Sequence, residues 1–179
     1  MVYQLKNGET VTIRVPTAED ASALVHLMIA QDSQTRFLAR NPGEFERGFT
    51  VEREAACIRS MESNPNLQWY VAEYQGKLVG NCSALVPSSG ERFRHRAGVA
   101  FALLKEYWGL GIGGKMMESC LAWCREHGAE QVELEVVAGN ERALGMYRSF
   151  GFEETGLRPR ALKYPDGSYA DEYCMIKYL

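Results

Sequence analysis

The sequence predicts a mixed α/β layer fold. Three observations carry that expectation. Strand-like and helix-like segments are interspersed in the order β-α-α-β-β-β-α-β-α-β-β, which calls for helices packed on a sheet. A chain of 179 residues with 46% hydrophobic content can bury one sizeable core. No repeat, linker or low-complexity tract divides it, so residues 1–179 read as one domain. Finally, residues 97–114, AGVAFALLKEYWGLGIGG, run from an apolar strand through a glycine-rich turn into a long amphipathic helix.

The elements follow in order. Val11, Ile13 and Val15 alternate with Thr10, Thr12 and Arg14, the pattern of a half-buried strand. Pro16 breaks it, and Thr17 with Asp20 forms a near capping box for a helix that carries Ala21, Leu24, Val25 and Met28 on one face. Residues 32–49 lack a clean period and read as a loop with short helical turns. Thr50 caps a second helix in which Val51, Ala55 and Ile58 share a face, and Asn64-Pro65 ends it. Residues 68–74 and 78–86 read as strands joined by Gln75-Gly76-Lys77, a hairpin signal. A buried strand through 97–104 precedes the long helix, which stops at Gly128. Val132, Leu134 and Val136 mark the next strand, and Asn140 opens a helix to Phe150. Two last strands flank Tyr164–Ser168, where Pro-Asp-Gly makes a strong turn.

Composition excludes several classes. A net charge of −3 supplies no global basic field for nucleic acid or an anionic membrane. The cluster Arg92-Phe93-Arg94-His95-Arg96, beside Ser88-Ser89-Gly90, reads as a solvated hairpin tip. Five cysteines form no disulfide framework, and no secretory or membrane-spanning segment is evident, which points to reduced thiols in the cytoplasm. Cys120, Cys124 and His127 share a helix, but the cysteines fall on its apolar stripe and no fourth ligand is in sight. No metal is expected.

Glycines at 109, 111, 113 and 114 crowd a helix start. First-turn amides there lack partners and the helix dipole favours an anion, so the loop points to a phosphate-bearing ligand. Gly109, Gly111 and Gly114 also satisfy G-x-G-x-x-G, with Glu133 and Glu135 about 20 residues on, as in dinucleotide sites. Lys-Glu-Tyr-Trp between strand and first glycine, and nearly a hundred residues ahead of it, disfavour that alternative.

The loop from Trp108 to Gly114, followed by Leu134-Glu135-Val136, Asn140, Ala143, Tyr147 and Gly151-Phe152, resembles the GNAT superfamily of acetyl-CoA-dependent N-acetyltransferases. The loop is similar to that family's Q/R-x-x-G-x-G/A pyrophosphate motif, and the later segment to its N-x-x-A-x-x-x-Y-x-x-x-G-F helix. Trp108 departs from the motif's usual Gln or Arg; an indole offers one N–H and no charge. The resemblance implies a single mixed, mostly antiparallel central sheet flanked by helices. It implies acetyl-CoA held by main-chain groups of Phe101, Ala102 and Leu103, by the loop Trp108, Gly109, Leu110, Gly111, Ile112, Gly113 and Gly114, and by Asn140. A strand N–H would also stabilise the developing oxyanion.

Tyr147 would protonate the departing thiolate, although Ala143, Tyr147 and Phe150 also have the spacing of a packed face. Asn140 is equally a helix N-cap. Glu135, twelve residues before Tyr147, would act as general base from a desolvated position, with Glu133 or an ordered water as alternatives. Lys115, Arg142 and Arg148 are candidates for the ribose phosphate. Residues 34–54 and 164–173 would form the acceptor pocket, with Glu44, Glu46 and Asp171 facing a cationic acceptor. The expected acceptor is a primary amine of a small molecule such as an amino acid. A ribosomal-protein or peptide N-terminus is the alternative, and a non-catalytic acyl-CoA sensor is an alternative of another class. A homodimer is left open.

Overall fold

The computed structural model describes residues 1–87 and 90–179, so Ser88 and Ser89 of the expected hairpin tip lie outside the described residues, while its basic cluster is described: Glu91–Phe93 form an exposed 3-10 turn and Arg96 opens a strand. Eight strands form one sheet in the order β1-β2-β3-β4-β5-β6-β8-β7. They are β1 (Val2–Gln4), β2 (Thr10–Arg14), β3 (Leu67–Tyr74), β4 (Lys77–Leu85), β5 (Arg96–Leu103), β6 (Gln131–Val137), β7 (Glu153–Lys163) and β8 (Tyr169–Tyr178). Every pair is antiparallel except β5 with β6. The helices are α1 (Ala21–Gln34), α2 (Glu44–Gly48), α3 (Val51–Glu62), α4 (Ile112–Glu126) and α5 (Glu141–Ser149). This is the mixed, mostly antiparallel sheet with flanking helices.

The larger core holds α4 and α5 against the sheet, with Ile112, Met116, Met117 and Cys120 packed on Val11, Ile13, Val79 and Val132. The smaller holds α1 and α3 through Leu24, Leu27, Ile58, Trp69 and Val71. Apolar alternation in β2 predicts this inner face, and Val11 and Ile13 are fully buried. Asp20 accepts the Thr17 N–H at 2.7 Å and pairs with Arg14, so it fixes the turn from β2 into α1.

Four expectations shift. Strand β1 is unannounced by the sequence, because three residues are too few for a period to show; Gly8 at φ +84° turns it onto β2. Leu27, not Met28, fills the α1 face, and Val51 is 39% exposed, outside the α3 seam. The strand expected to be buried through 97–104 buries only Ala97, because its later residues face a cavity rather than a packed layer. Gly80 allows β4 its approach to β5: a Cβ there would meet the Ala102 carbonyl at 3.0 Å and the Leu103 side chain at 2.9 Å.

Candidate active site

The site begins where two strands part. Strands β5 and β6 pair only at Arg96 with Gln131, Ala97 with Val132 and Gly98 with Glu133. Beyond that β6 pairs with β8 alone, which opens a wedge beside the later half of β5. The Leu104 N–H donates to the Val79 carbonyl on the β4 side at 3.0 Å. Main-chain groups alternate sides along a strand, so Phe101 and Leu103 direct theirs into the wedge, while Ala102 directs its own toward β4. The expected trio thus divides into two residues whose main-chain groups face the wedge, the Leu103 carbonyl already accepting from the Trp108 indole, and one whose groups face β4.

The chain leaves β5 through a 3-10 turn, Lys105–Tyr107, and reaches α4 through Gly109 at φ +84° and Gly111 at φ +93°. Gly111 caps α4 with no side-chain hydrogen bond, and the first intrahelical bond closes from the Lys115 N–H to its carbonyl. The N–H groups of Ile112, Gly113 and Gly114 therefore point out of the helix end. A Cβ on Gly111 would find no atom within 4 Å, and residues 111–114 border open space. Trp108 does not reach toward that space with its N–H, because its Nε1 donates to the Leu103 carbonyl at 2.9 Å. The Arg142 guanidinium lies over its ring, 4.9 Å from the centroid.

Wedge and loop are parts of one cavity of about 1010 Å³, lined also by Asn140, Tyr147, Glu135 and Glu172. Asn140 caps α5, its Oδ1 accepting the Ala143 N–H at 3.3 Å. Tyr147 is 7% exposed, with its ring against Phe101 and Phe152. Burial pushes its phenol well above the ordinary value, since a phenolate would lose hydration. A phenol kept protonated in a cavity wall can give a proton to a strong base formed beside it. Tyr147 thus packs in the core and lines the cavity as well.

The two candidate carboxylates on β6 separate. Glu133 lies where β5 and β6 still pair. It accepts from Arg96 at 2.6 and 2.5 Å, and that guanidinium holds its carboxyl below the usual range. Glu135, two residues beyond the parting, lines the cavity. Its side chain is 52% exposed rather than desolvated, and Arg158 lies 3.4 Å away, bridging to Glu172 at 3.3 Å.

A profile of the Acetyltransferase (GNAT) family matches residues 30–152, more than half of the chain. The chain belongs to the GNAT acetyltransferase family. It is similar to a Bacillus subtilis putative [ribosomal protein bS18]-alanine N-acetyltransferase, 30% identical over 53% of this chain and 60% of that protein. It also resembles the Escherichia coli L-amino acid N-acetyltransferase AaaT, 28% identical over 65% of this chain and 72% of that protein. A solved acetyltransferase of the GNAT family from Streptococcus pneumoniae superposes with a TM-score of 0.85 at 24% identity, covering 94% and 99% of the two chains. The chain spans less than two thirds of the length of the first curated relatives that it matches.

Within this GNAT frame the other candidates divide. Lys115 lines the cavity but is paired with Glu118, whereas Arg148 lies outside the lining and is paired with Glu154. Of the three candidate cations only Arg142 has no carboxylate partner among the described residues. Glu44 accepts the Asn41 N–H and Asp171 the Arg160 N–H, and neither they nor Glu46 line the cavity. Glu172 is the acidic residue that this end supplies beside Glu135, one position from Asp171. Cys120 and Cys124 are fully buried in the core. His127 stacks on Trp123, its Nδ1 2.9 Å from that residue's carbonyl oxygen. Among the described residues no group of three His, Cys, Asp or Glu could hold a metal, and no helix is long and apolar enough to cross a membrane.

Sequence reading missed Gln31 and Gln34. Gln34 Oε1 accepts the Lys105 N–H at 2.8 Å, and Gln31 Nε2 donates to the Ala102 carbonyl at 3.1 Å. The signal was a glutamine at position 31 on the apolar stripe of Leu24 and Leu27, where a polar residue needs a reason to be buried.

Proposed function

We propose that this protein transfers the acetyl group of acetyl-CoA to a primary amine of a small molecule. The coenzyme's pantetheine arm lies in the wedge against the main-chain groups of Phe101 and Leu103, and its diphosphate over the amides of Ile112, Gly113 and Gly114. Asn140 borders the arm. Arg142, on the Trp108 ring, supplies the positive charge that the loop lacks. The amine attacks the thioester carbonyl from the side of Glu135, a strand N–H receives the developing oxyanion, and the C–S bond breaks. Tyr147 gives its proton to the departing sulfur, while the amine's proton leaves through Glu135 or a water beside it. A cytoplasmic setting, with its acetyl-CoA and reduced thiols, is part of the reading; all five cysteines are free.

One observation favours a small acceptor. The loop after α1 is tied to the turn between β7 and β8: the Tyr164 hydroxyl donates to the Arg36 carbonyl at 3.0 Å, and the Arg36 guanidinium lies 4.0 Å from the Tyr164 ring centroid. That tie joins the loop that lines the cavity at Thr35 and Phe37 to the β7–β8 turn, whereas an extended peptide would need a groove left open between them. Likeness to the Bacillus protein supports a second reading, acetylation of a protein N-terminal alanine. An acetyl-CoA consumption screen over amino acids, polyamines, aminoglycosides and short alanine-initiated peptides separates them. Turnover only with peptides overturns the small-molecule reading. Stoichiometric acetyl-CoA binding with no turnover on any amine would make the protein a sensor.

A further inference from the structure

Among the described residues one buried side-chain polar atom has no hydrogen-bond partner, and it is Gln31 Oε1. Gln31 is 2% exposed, on the last turn of α1, and belongs to the cavity wall. Its amide orientation is dictated from the other side. The Ala102 carbonyl can only accept, so the NH2 group must face it at 3.1 Å and the oxygen must take the other branch. A flipped amide would set two carbonyl oxygens against each other. Leaving a buried acceptor unmatched costs about 1–3 kcal/mol, so an oxygen held this way is poised for a donor that arrives with a ligand.

The nearby glutamine shows the contrast. Gln34, three residues on, uses its own oxygen for the Lys105 N–H, which fixes the exit of β5. Gln31 uses only its nitrogen for the fold. Its oxygen is enclosed at the wall, on a residue that lines the same cavity as Glu135 and Glu172.

We propose that Gln31 positions the acceptor amine by accepting one of its N–H bonds at Oε1; this rests on the acetyltransferase reading above. An attacking amine must aim its lone pair at the carbonyl carbon, so its N–H bonds need acceptors elsewhere. A neutral carbonyl oxygen can orient an N–H without stabilising the ammonium form as strongly as a carboxylate does. That division of labour suits a nucleophile that must be uncharged: Gln31 orients it, and Glu135 or water takes the proton. Gln31 is therefore a positioning residue, and the ligand class it selects is a nitrogen bearing at least two hydrogens before attack.

The test is steady-state kinetics of Gln31→Met and Gln31→Glu with the best primary amine found in the screen, alongside calorimetry of acetyl-CoA binding. Gln31→Met keeps the length and loses the oxygen. It should lower kcat/KM for the amine about 10- to 100-fold, the equivalent of a lost buried hydrogen bond, mainly by raising the amine KM, and leave acetyl-CoA affinity within about twofold. Gln31→Glu keeps an oxygen but makes it anionic. It should retain amine binding and move the acidic limb of the pH–rate profile upward, because a carboxylate there favours the ammonium. A purely structural role would move neither the KM split nor that limb. An unchanged kcat/KM in Gln31→Met overturns the proposal, as does a parallel loss of acetyl-CoA affinity, which would mean that Gln31 only shapes β5. If the unaltered protein acetylates no amine at all, the functional reading itself has failed and this role falls with it.

Discussion

The indole N–H of Trp108 donates to the carbonyl oxygen of Leu103 at 2.9 Å, clipping the start of the glycine loop to the strand it has just left. The family motif usually has a charged or amide side chain at that position. Here the indole is used for the fold, and its ring becomes a platform for Arg142 from a different helix. Arg142 thus brings a positive charge onto the loop from more than thirty residues further along the chain.

Arg142→Ala should therefore raise the Kd for acetyl-CoA about tenfold, the worth of a charged hydrogen bond, and weaken its salt dependence. A phosphate-free donor such as S-acetylpantetheine should be used equally well by both proteins. An equal loss with both donors in calorimetry and turnover would show that Arg142 supports α5 instead.

Gly111 stands at φ +93° with open space around its Cα. Gly111→Ala should cost about 1 kcal/mol or more through backbone strain alone and weaken acetyl-CoA moderately. Gly111→Asp adds a negative charge beside the expected diphosphate and should abolish binding. Circular dichroism reports whether the fold survives, and calorimetry the affinity; unchanged affinity in Gly111→Asp would remove the loop from the coenzyme site.

Tyr147→Phe should keep the packing against Phe101 and Phe152 and leave coenzyme affinity intact. It should lower kcat on the order of 10² to 10⁴, the range for a lost general acid. The raised phenol pKa places any alkaline limb due to Tyr147 above the ordinary tyrosine range, so activity should not fall near pH 10 on its account. An equal kcat would hand the proton donation to water.

Asp20 gives a pH dependence of stability. Arg14, and then the Thr17 N–H, hold its carboxyl at about 2 against an ordinary 3.8. Its folded pKa is depressed, so its contribution is fully present above the ordinary value and is lost as pH falls from about 4 toward 2. Asp20→Asn should lower Tm at pH 7 and flatten the acid side of the Tm–pH curve; a parallel curve would mean the pair adds nothing.

The legible parts of this chain were those where chemistry is local. Glycine spacing announced the open amides at Gly111–Gly114, and alternation announced the inner face of Val11 and Ile13. Asn140 announced an α5 cap that the structure contains. What stayed hidden depended on chain segments distant in sequence. Nothing in residues 131–137 says that β6 parts from β5 after Glu133, yet that parting leaves Glu133 with Arg96 and brings Glu135 to the cavity. Asp171 is expected to face the acceptor, yet Glu172 is the neighbour that lines the cavity, because strand alternation decides which of the two faces in. Gln31 carried a signal, a polar residue on an apolar stripe, whose meaning needed the Ala102 carbonyl opposite.

Glu135, rather than Glu133, should set the acidic limb of the pH–rate profile. The two carboxylates share a strand face, but only Glu135 lines the cavity, and Glu133 is engaged by two hydrogen bonds from Arg96. Glu135→Gln should cut kcat/KM most at low pH, where the ammonium acceptor most needs a base, while Glu133→Gln should change it little and instead lower stability. Arg158 adds a second handle, since it spans Glu135 and Glu172 at 3.4 and 3.3 Å. Arg158→Gln removes a cation that competes with an incoming ammonium, so it should lower the amine KM if Glu135 receives that group. The amine's own titration produces a similar limb, so an acceptor of lower pKa must be run in parallel. If the limb then moves with the acceptor and persists in Glu135→Gln, no glutamate is the base, and proton loss through ordered water accounts for the deprotonation.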